Sequence, residues 1–488
     1  MHVIKRNSDI RNVFILSADA LRHDAFEEVA PDLHKNINGV NFTNAVATAN
    51  ATAHSMPAMA AGVYADTSGY GIDKSEGLTT MAEKFSEAGY QCGFWTDNYL
   101  VSSEYDYDRG FSAGNLSKKS WKKKSQLIVN QVPSERFNRL AKWIYFHILN
   151  PVISLGSYNH YYSPAPDLNN DALDWLSLNK DTNKFCWIHY MDTHHPFEPP
   201  EEYLESREFS KKYSRSDLSS LSSDIIMSNG GSEFSDGELN DIQEAYLACC
   251  EYWSDQLLLF IKTLKDRGHF DPAKDVMVIT SDHGEGFDPD LHNMIGHTPT
   301  PAFWEDMVRV PLVISHPNWK QDTINQQVSM IDLMPTILST SGIDVPNTVE
   351  GYPAESPIDL VRKKVYFSAI GPDEYYFGIR SSEGWKLFSD RINTETGPEM
   401  ESGRENDVRR IILTMHNEKK EKIMHVSDLD SISYPENNDL SKEWDELVDA
   451  LETKMGGFTS KKGENKIDDE LKQHLHDLGY VDDIPENK

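Results

Sequence analysis

A chain of 488 residues can hold one large α/β domain or two to three smaller ones, and it can bury a large core. Its 78 acidic and 47 basic residues leave a net charge of −31 at pH 7, which excludes nucleic acid as the main partner because a phosphate backbone would be repelled. Four cysteines, Cys92, Cys186, Cys249 and Cys250, are too few for a disulfide scaffold, and the last two sit in a helix-like run as packing residues. The basic N-terminus is followed by an apolar run of only Val13 to Leu16, and no apolar stretch approaches the roughly 18 residues of a spanning helix. A cytoplasmic location is the expectation.

Val13-Phe14-Ile15-Leu16 reads as a strand buried on both faces. It runs into Ser17-Ala18-Asp19-Ala20-Leu21-Arg22. Open α/β sheets place ligands at the carboxyl ends of their strands, so Asp19 is the first candidate metal ligand. From Ala49 to Gly62, small residues give way to an Ala/Met run, a turn feeding a helix whose N-terminus offers N–H groups and a positive dipole end to an anion. Thr52 and Ser55 stand there one turn apart, and ordinary N-capping is the plainer use of either hydroxyl. Leu78 to Ala88 reads as an amphipathic helix stopped by Gly89, and Tyr90 to Thr96 as the next strand. This βαβ rhythm implies a parallel sheet.

Residues 117–142 change character, with Lys118, Lys119, Lys122, Lys123, Lys124, Arg136, Arg139 and Lys142 against one acid, Glu135, before the apolar run Trp143 to Leu149. One reading is an inserted helical hairpin that covers the core; the other is a peripheral membrane contact through residues 117–157. Asp171 to Leu178 reads as a helix. Phe185 to Met191 is another buried strand, and it ends in Asp192-Thr193-His194-His195-Pro196. The Ser-rich stretch 205–240 reads as a mobile surface loop, and Leu239 to Arg267 as a long helix ended by Gly268.

Val276 to Ile279 is a further buried strand, breaking into Ser281-Asp282-His283-Gly284-Glu285, with His292 and His297 beyond. A carboxylate beside an imidazole at a strand end suits Zn²⁺, Mn²⁺ or Mg²⁺, although a lone Asp-His-Gly is more often a turn with a satisfied histidine. Val310 to Ile314 reads as a strand and Ile331 to Leu338 as a helix. From Lys364 onward strands alternate with turns, which predicts a smaller antiparallel part. The expected division is a catalytic domain over 10–345, with insertions 117–170 and 205–240, and a C-terminal subdomain and polar tail over 346–488.

Four clusters thus fall at strand or helix ends: Asp19, Thr52/Ser55, Asp192/His195, and Asp282/His283 with His297. The carboxyl ends of parallel strands share one edge of a sheet, so these clusters can converge. Carboxylates and an imidazole hold a cation, a hydroxyl beside it can become a nucleophile, and further histidines can hold an anion or protonate a leaving group. The set suits attack on a sulfate or phosphate ester.

The motifs Asp19-Ala20-Leu21-Arg22, Gly39 to Ala45, Thr52 to Gly62, His189 to Pro196, Ser281 to Glu285, Val308 to Leu312 and Asp332 to Thr336 together resemble the sulfatase family of the alkaline phosphatase superfamily. The resemblance implies an α/β core with a mostly parallel central sheet, helices on both faces and a C-terminal subdomain. It implies Asp19, Thr52, Asp282 and His283 as metal ligands, Thr52 as nucleophile, and His195 and His297 as catalytic residues for the substrate anion and leaving group. Asp192, His195 and His297 form a set for a second metal or for the substrate. The cofactor implied is a divalent cation, Zn²⁺, Mn²⁺, Mg²⁺ or Ca²⁺, one or two per chain, and the partner an anionic ester, sulfated or phosphorylated.

Two departures shape the expectation. Ser55-Met56-Pro57-Ala58 imitates the formylglycine motif of sulfatases, but Met59 stands where that motif has Arg. Counting back from Gly62 puts the nucleophile at Thr52, and Thr52 to Pro57 is similar to the threonine-nucleophile motif of phosphoethanolamine and phosphoglycerol transferases. The adjacent Asp pair common in sulfatases is reduced here to Asp19 and Ala20. A hydrolase is the first expectation; a transferase acting on a glycan or lipid, and a non-catalytic anion-binding protein, are the alternatives.

Overall fold

Four apolar runs become neighbouring strands of one sheet. The computed structural model describes residues 10–73, 77–115, 161–178, 182–226, 234–287 and 303–370, strands within 374–424 and part of 446–454. The expectations for 117–157, His292 and His297 lie outside the described residues. The strands Asn12–Ala18 (β1), Val40–Phe42 (β2), Gln91–Thr96 (β3), Ala113–Gly114 (β4), Lys184–Tyr190 (β5), Val276–Ser281 (β6), Leu312–Ser315 (β7) and Asp322–Ile324 (β8) line up in the order β8-β2-β7-β6-β1-β5-β3-β4. β6, β1, β5, β3 and β4 run parallel to one another, while β7 is antiparallel to both β6 and β2.

The alternation of side chains along these strands separates two cores. Val13, Ile15, Phe94, Phe185, Trp187, Val276 and Val278 face one side, where helices Thr52–Ala61 (α1) and Met81–Glu87 (α2) add Met56, Met59, Met81 and Phe85. Phe14, Leu16, Cys186, Ile188, Met277 and Ile279 face the other, against helices Ala165–Leu178 (α3) and Asp236–Asp266 (α5) through Leu168, Leu176, Trp253, Leu257 and Phe260. Burial on both faces is why these strands read as continuous apolar runs. Each fully buried large side chain contributes about 1.5–3 kcal/mol.

Local signals set the helix ends. Thr80 and Glu83 form a reciprocal cap at α2, Ser235 and Glu238 do the same at α5, and Gly62, at φ 67°, closes α1 in the left-handed region. Cys249 and Cys250 are buried free thiols in α5, packed in the second core. The expected loop over 205–240 contains a helix, Arg215–Ile226 (α4). Ser214 and Asp217 cap it reciprocally, and Leu218, Ser222 and Ile225 bury one side at helical spacing, so the serines there serve a helix face. α3 begins six residues before the expected Asp171, at Ala165, because Asp192 caps it from a distant strand end.

The C-terminal part is an antiparallel sheet, as expected, built from Lys364–Ile370 (β9), Glu374–Ser381 (β10), Trp385–Phe388 (β11), Ile392–Asn393 (β12), Arg410–Thr414 (β13) and Glu421–Met424 (β14). Among the described residues no helix is long and apolar enough to cross a membrane.

Candidate functional site

Register brings the polar groups together. β1 pairs Ser17 with His189 of β5 and with Thr280 of β6, and His189 pairs with Thr96 of β3. Directly paired residues share a face, and so do residues two apart along a strand. Asp19, Asp282, Asn98 and His189 therefore rise on the α1 side of the sheet at its carboxyl edge. Gly284 follows His283 because the chain passes against the Glu305–Val308 turn: its N–H donates to Met307 O at 2.7 Å, and a Cβ there would lie 1.9 Å from Asp306 O.

Thr52 is the first residue of α1. Its N-cap is Ala51, in extended conformation, so the Thr52 hydroxyl has no capping role. Thr52 Oγ1 lies 3.3 Å from Asp19 Oδ2 and 3.2 Å from His283 Nε2, with no exposed surface. Ser55, one turn on, is buried, and its Oγ has no hydrogen-bond partner.

Each carboxylate has one oxygen engaged by the protein and one without a hydrogen-bond partner. Asp19 Oδ2 accepts from Asn98 Nδ2 at 2.5 Å and lies 3.3 Å from His189 Nε2, whereas Oδ1 has none. Asp282 Oδ1 accepts from the N–H groups of His283 at 2.9 Å and Ala20 at 3.3 Å, whereas Oδ2 has none. His283 Nδ1 lies 2.7 Å from Gly284 O, which can only accept, so Nδ1 carries the hydrogen. Nε2 faces Asp19 Oδ1 at 3.5 Å and Asp282 Oδ2 at 3.6 Å. These three residues offer ligand atoms all within 4.8 Å of one another.

The charges say the same. Burial opposes ionisation of Asp19, yet His194, His189 and His283 outweigh it and hold the carboxyl below its usual range. Burial and the Asp19 charge push Asp282 up, with His283 and His189 offsetting part of this. Among the described residues no lysine or arginine pairs with either carboxylate. Two buried carboxylates and an imidazole lone pair aimed at one point repel unless a cation joins them, so this oxygen-and-nitrogen set fits a divalent metal ion.

The other expected residues are placed nearby. Asp192 Oδ1 accepts from Ala165 N at 3.0 Å at the start of α3, and burial pushes its carboxyl up to about 7. His195 Nδ1 is 3.8 Å from Glu285 Oε2, and His194 Nε2 is 4.0 Å from Asp19 Oδ1. Neither Asp192 nor His195 belongs to the Asp19–Asp282–His283 group. Asn98, Ser17 and His189 were not singled out from the sequence. Polar residues at matching parity near the ends of three apolar strands were the signal that could have found them.

A family model for sulfatases matches residues 11–343, and the chain belongs to the sulfatase family, within the alkaline phosphatase superfamily. It is 26% identical over 342 residues to the uncharacterized sulfatase YidJ of Escherichia coli (strain K12), a match over 64% of this chain and 63% of that protein. It is likewise 26% identical over 333 residues to the ulvan-active sulfatase of Formosa agariphila, over 64% of this chain and 56% of that one. The chain thus matches less than two thirds of the length of either relative. The solved phosphonate monoester hydrolase from Silicibacter pomeroyi has the same fold, with a TM-score of 0.63 at 16% identity over 92% of this chain and 96% of that one.

Proposed function

We propose that this chain is a metal-dependent hydrolase that cleaves a sulfate or phosphate ester through Thr52. The observation that carries the reading is the Thr52 hydroxyl, 3.3 Å from Asp19 and 3.2 Å from His283, beside two carboxylate oxygens without hydrogen-bond partners. Asp19, Asp282 and His283 would hold the cation, with Thr52 beside them. When bound, the ion supplies positive charge that favours the ionised hydroxyl and draws the anionic ester to it.

The chain's own residues do the rest. Thr52 Oγ1, its proton released to solvent, attacks the sulfur or phosphorus; the new bond to Oγ1 forms as the bond from the ester oxygen to sulfur or phosphorus breaks, and that oxygen leaves with the alcohol. His195 and His297 are assigned to the ester anion and to the proton taken up by the leaving oxygen. Water then releases sulfate or phosphate from Thr52. A threonine cannot be converted to formylglycine, which favours a phosphate ester over a sulfate ester.

The test is a panel of aryl sulfate, phosphate monoester and phosphate diester substrates, each with Mn²⁺, Zn²⁺, Mg²⁺ and Ca²⁺. The expected result is metal-dependent turnover that Thr52→Ala abolishes and Ser55→Ala preserves. Loss of turnover in Ser55→Ala, with Thr52→Ala still active, would overturn the assignment of the nucleophile.

A further inference from the structure

We infer that Trp187, Ser17 and His189 form a directional hydrogen-bond chain that, ending on Asp19 Oδ2, fixes the tautomer of His189 and thereby aims Asp19 Oδ1 at the cation. Ser17 and His189 are then positioning residues, and the cation part of this statement rests on the metal-dependent reading above.

The direction follows from what each group can donate. An indole N–H only donates, and Trp187 Nε1 lies 2.9 Å from Ser17 Oγ. Ser17 Oγ in turn lies 2.9 Å from His189 Nδ1. A hydroxyl can accept twice, so the indole alone does not set the direction: it is set from the other ring nitrogen. Nε2 lies 3.3 Å from Asp19 Oδ2, which can only accept, so Nε2 carries the hydrogen. Nδ1 therefore carries the lone pair, and Ser17 gives its hydrogen to Nδ1. Ser17, His189 and Asp19 have no exposed surface and Trp187 has 1%, so bulk water does not compete for these bonds. Stacking of the Trp187 ring on Phe94, 5.0 Å between centroids, holds the indole in place. Pairing of Ser17 with His189 across β1 and β5 sets the spacing.

Two consequences follow for the centre. Asp19 Oδ2 receives both the His189 and the Asn98 hydrogens, so the carboxylate is held with Oδ1 turned toward His283 and Asp282. His189, despite standing beside Asp19, offers a hydrogen and no electron pair, so it is not a metal ligand. His283 is the reverse case: its hydrogen is on Nδ1, toward Gly284 O, and its electron pair is on Nε2. Two histidines at one carboxylate thus have opposite tautomers, each set by the acceptor that its N–H faces, Gly284 O or Asp19 Oδ2.

The experiment combines chelator-competition titration of Mn²⁺ or Zn²⁺ with histidine ¹⁵N spectra of the whole protein, the His189 signals being those lost in His189→Gln. The wild-type spectra should show hydrogen on Nε2. Ser17→Ala should weaken metal affinity by about 10- to 100-fold and shift His189 toward the Nδ1–H form, while Ser17→Thr restores both. His189→Gln, whose amide N–H can replace Nε2–H, should keep near wild-type affinity, and His189→Leu should lose it. If His189→Gln loses metal as fully as His189→Leu, His189 is a ligand and the inference falls. Unchanged affinity and tautomer in Ser17→Ala also overturn it. Should the wild type take up no cation, the functional reading fails, and the wild-type tautomer alone decides the chain: hydrogen on Nε2 upholds it, hydrogen on Nδ1 sinks it.

Discussion

Two of the places where this protein puts carboxylates among buried groups balance them differently. Beneath the C-terminal sheet, Glu305 Oε1 lies 2.8 Å from both Arg380 Nε and Lys386 Nζ, and the two cations are 0% and 1% exposed. Burial works against the Glu305 charge, but Arg380 and Lys386 overwhelm it and hold the carboxyl well below its usual range. At the edge of the main sheet, Asp19 and Asp282 face each other with, among the described residues, histidines alone as potential cations. Among the described residues no arginine or lysine does the same for Asp19 or Asp282. The first arrangement is neutralised within the chain; the second is a candidate site for an ion from outside.

Variants that exchange the two situations test this contrast. The largest effect is expected from Thr52→Ala, which keeps Asp19, Asp282 and His283 but removes the proposed nucleophile: turnover should fall by about 10³-fold or more, with most of the metal retained by elemental analysis. Glu305→Gln leaves Arg380 and Lys386 buried without their anion and should cost about 3–5 kcal/mol in urea unfolding, with or without metal. Asp282→Asn should act the opposite way. Metal affinity should fall by about 10-fold or more, yet after EDTA treatment the variant should melt about 2–4 °C above EDTA-treated wild type, because it relieves repulsion with Asp19. An equal loss of stability in Glu305→Gln and Asp282→Asn would erase the contrast.

A further test concerns Asp192, which pairs with no cation among the described residues and lies outside the Asp19–Asp282–His283 group. Its folded pKa, about 7, lies above the ordinary 3.8, so its neutral form favours folding. That contribution is full below pH 3.8 and is lost as pH rises through 7. Unfolding free energy should therefore decline across this window by up to about 4 kcal/mol more in wild type than in Asp192→Asn. Parallel pH curves for the two proteins would contradict the assignment.

Much of this was legible in the chain. Strands buried on both faces announce themselves as apolar runs, and Asp19, Thr52, Asp282 and His283 stood out because each follows a run or opens a helix where a polar residue has no packing role. Ser17 and His189 were hidden inside runs that read as strand, since their meaning depends on which strands are neighbours and in what register. Asn98 lies beyond Thr96, at the end of a strand that offered no cluster of its own. The helix Arg215–Ile226 was obscured by serine, which reads as loop locally but here caps one end and fills a buried face. The early start of α3 depends on Asp192, contributed from elsewhere in the fold.

The tight passage at Gly284 carries a mechanical consequence. Its backbone rests against Asp306 O with no space for a methyl group, and the neighbouring Glu305 is gripped by Arg380 and Lys386 of the C-terminal sheet. His283 is one peptide from that fulcrum. The C-terminal sheet is thus tied to His283 through a short covalent and hydrogen-bonded path: Arg380 and Lys386 to Glu305, and Met307 O to the Gly284 N–H.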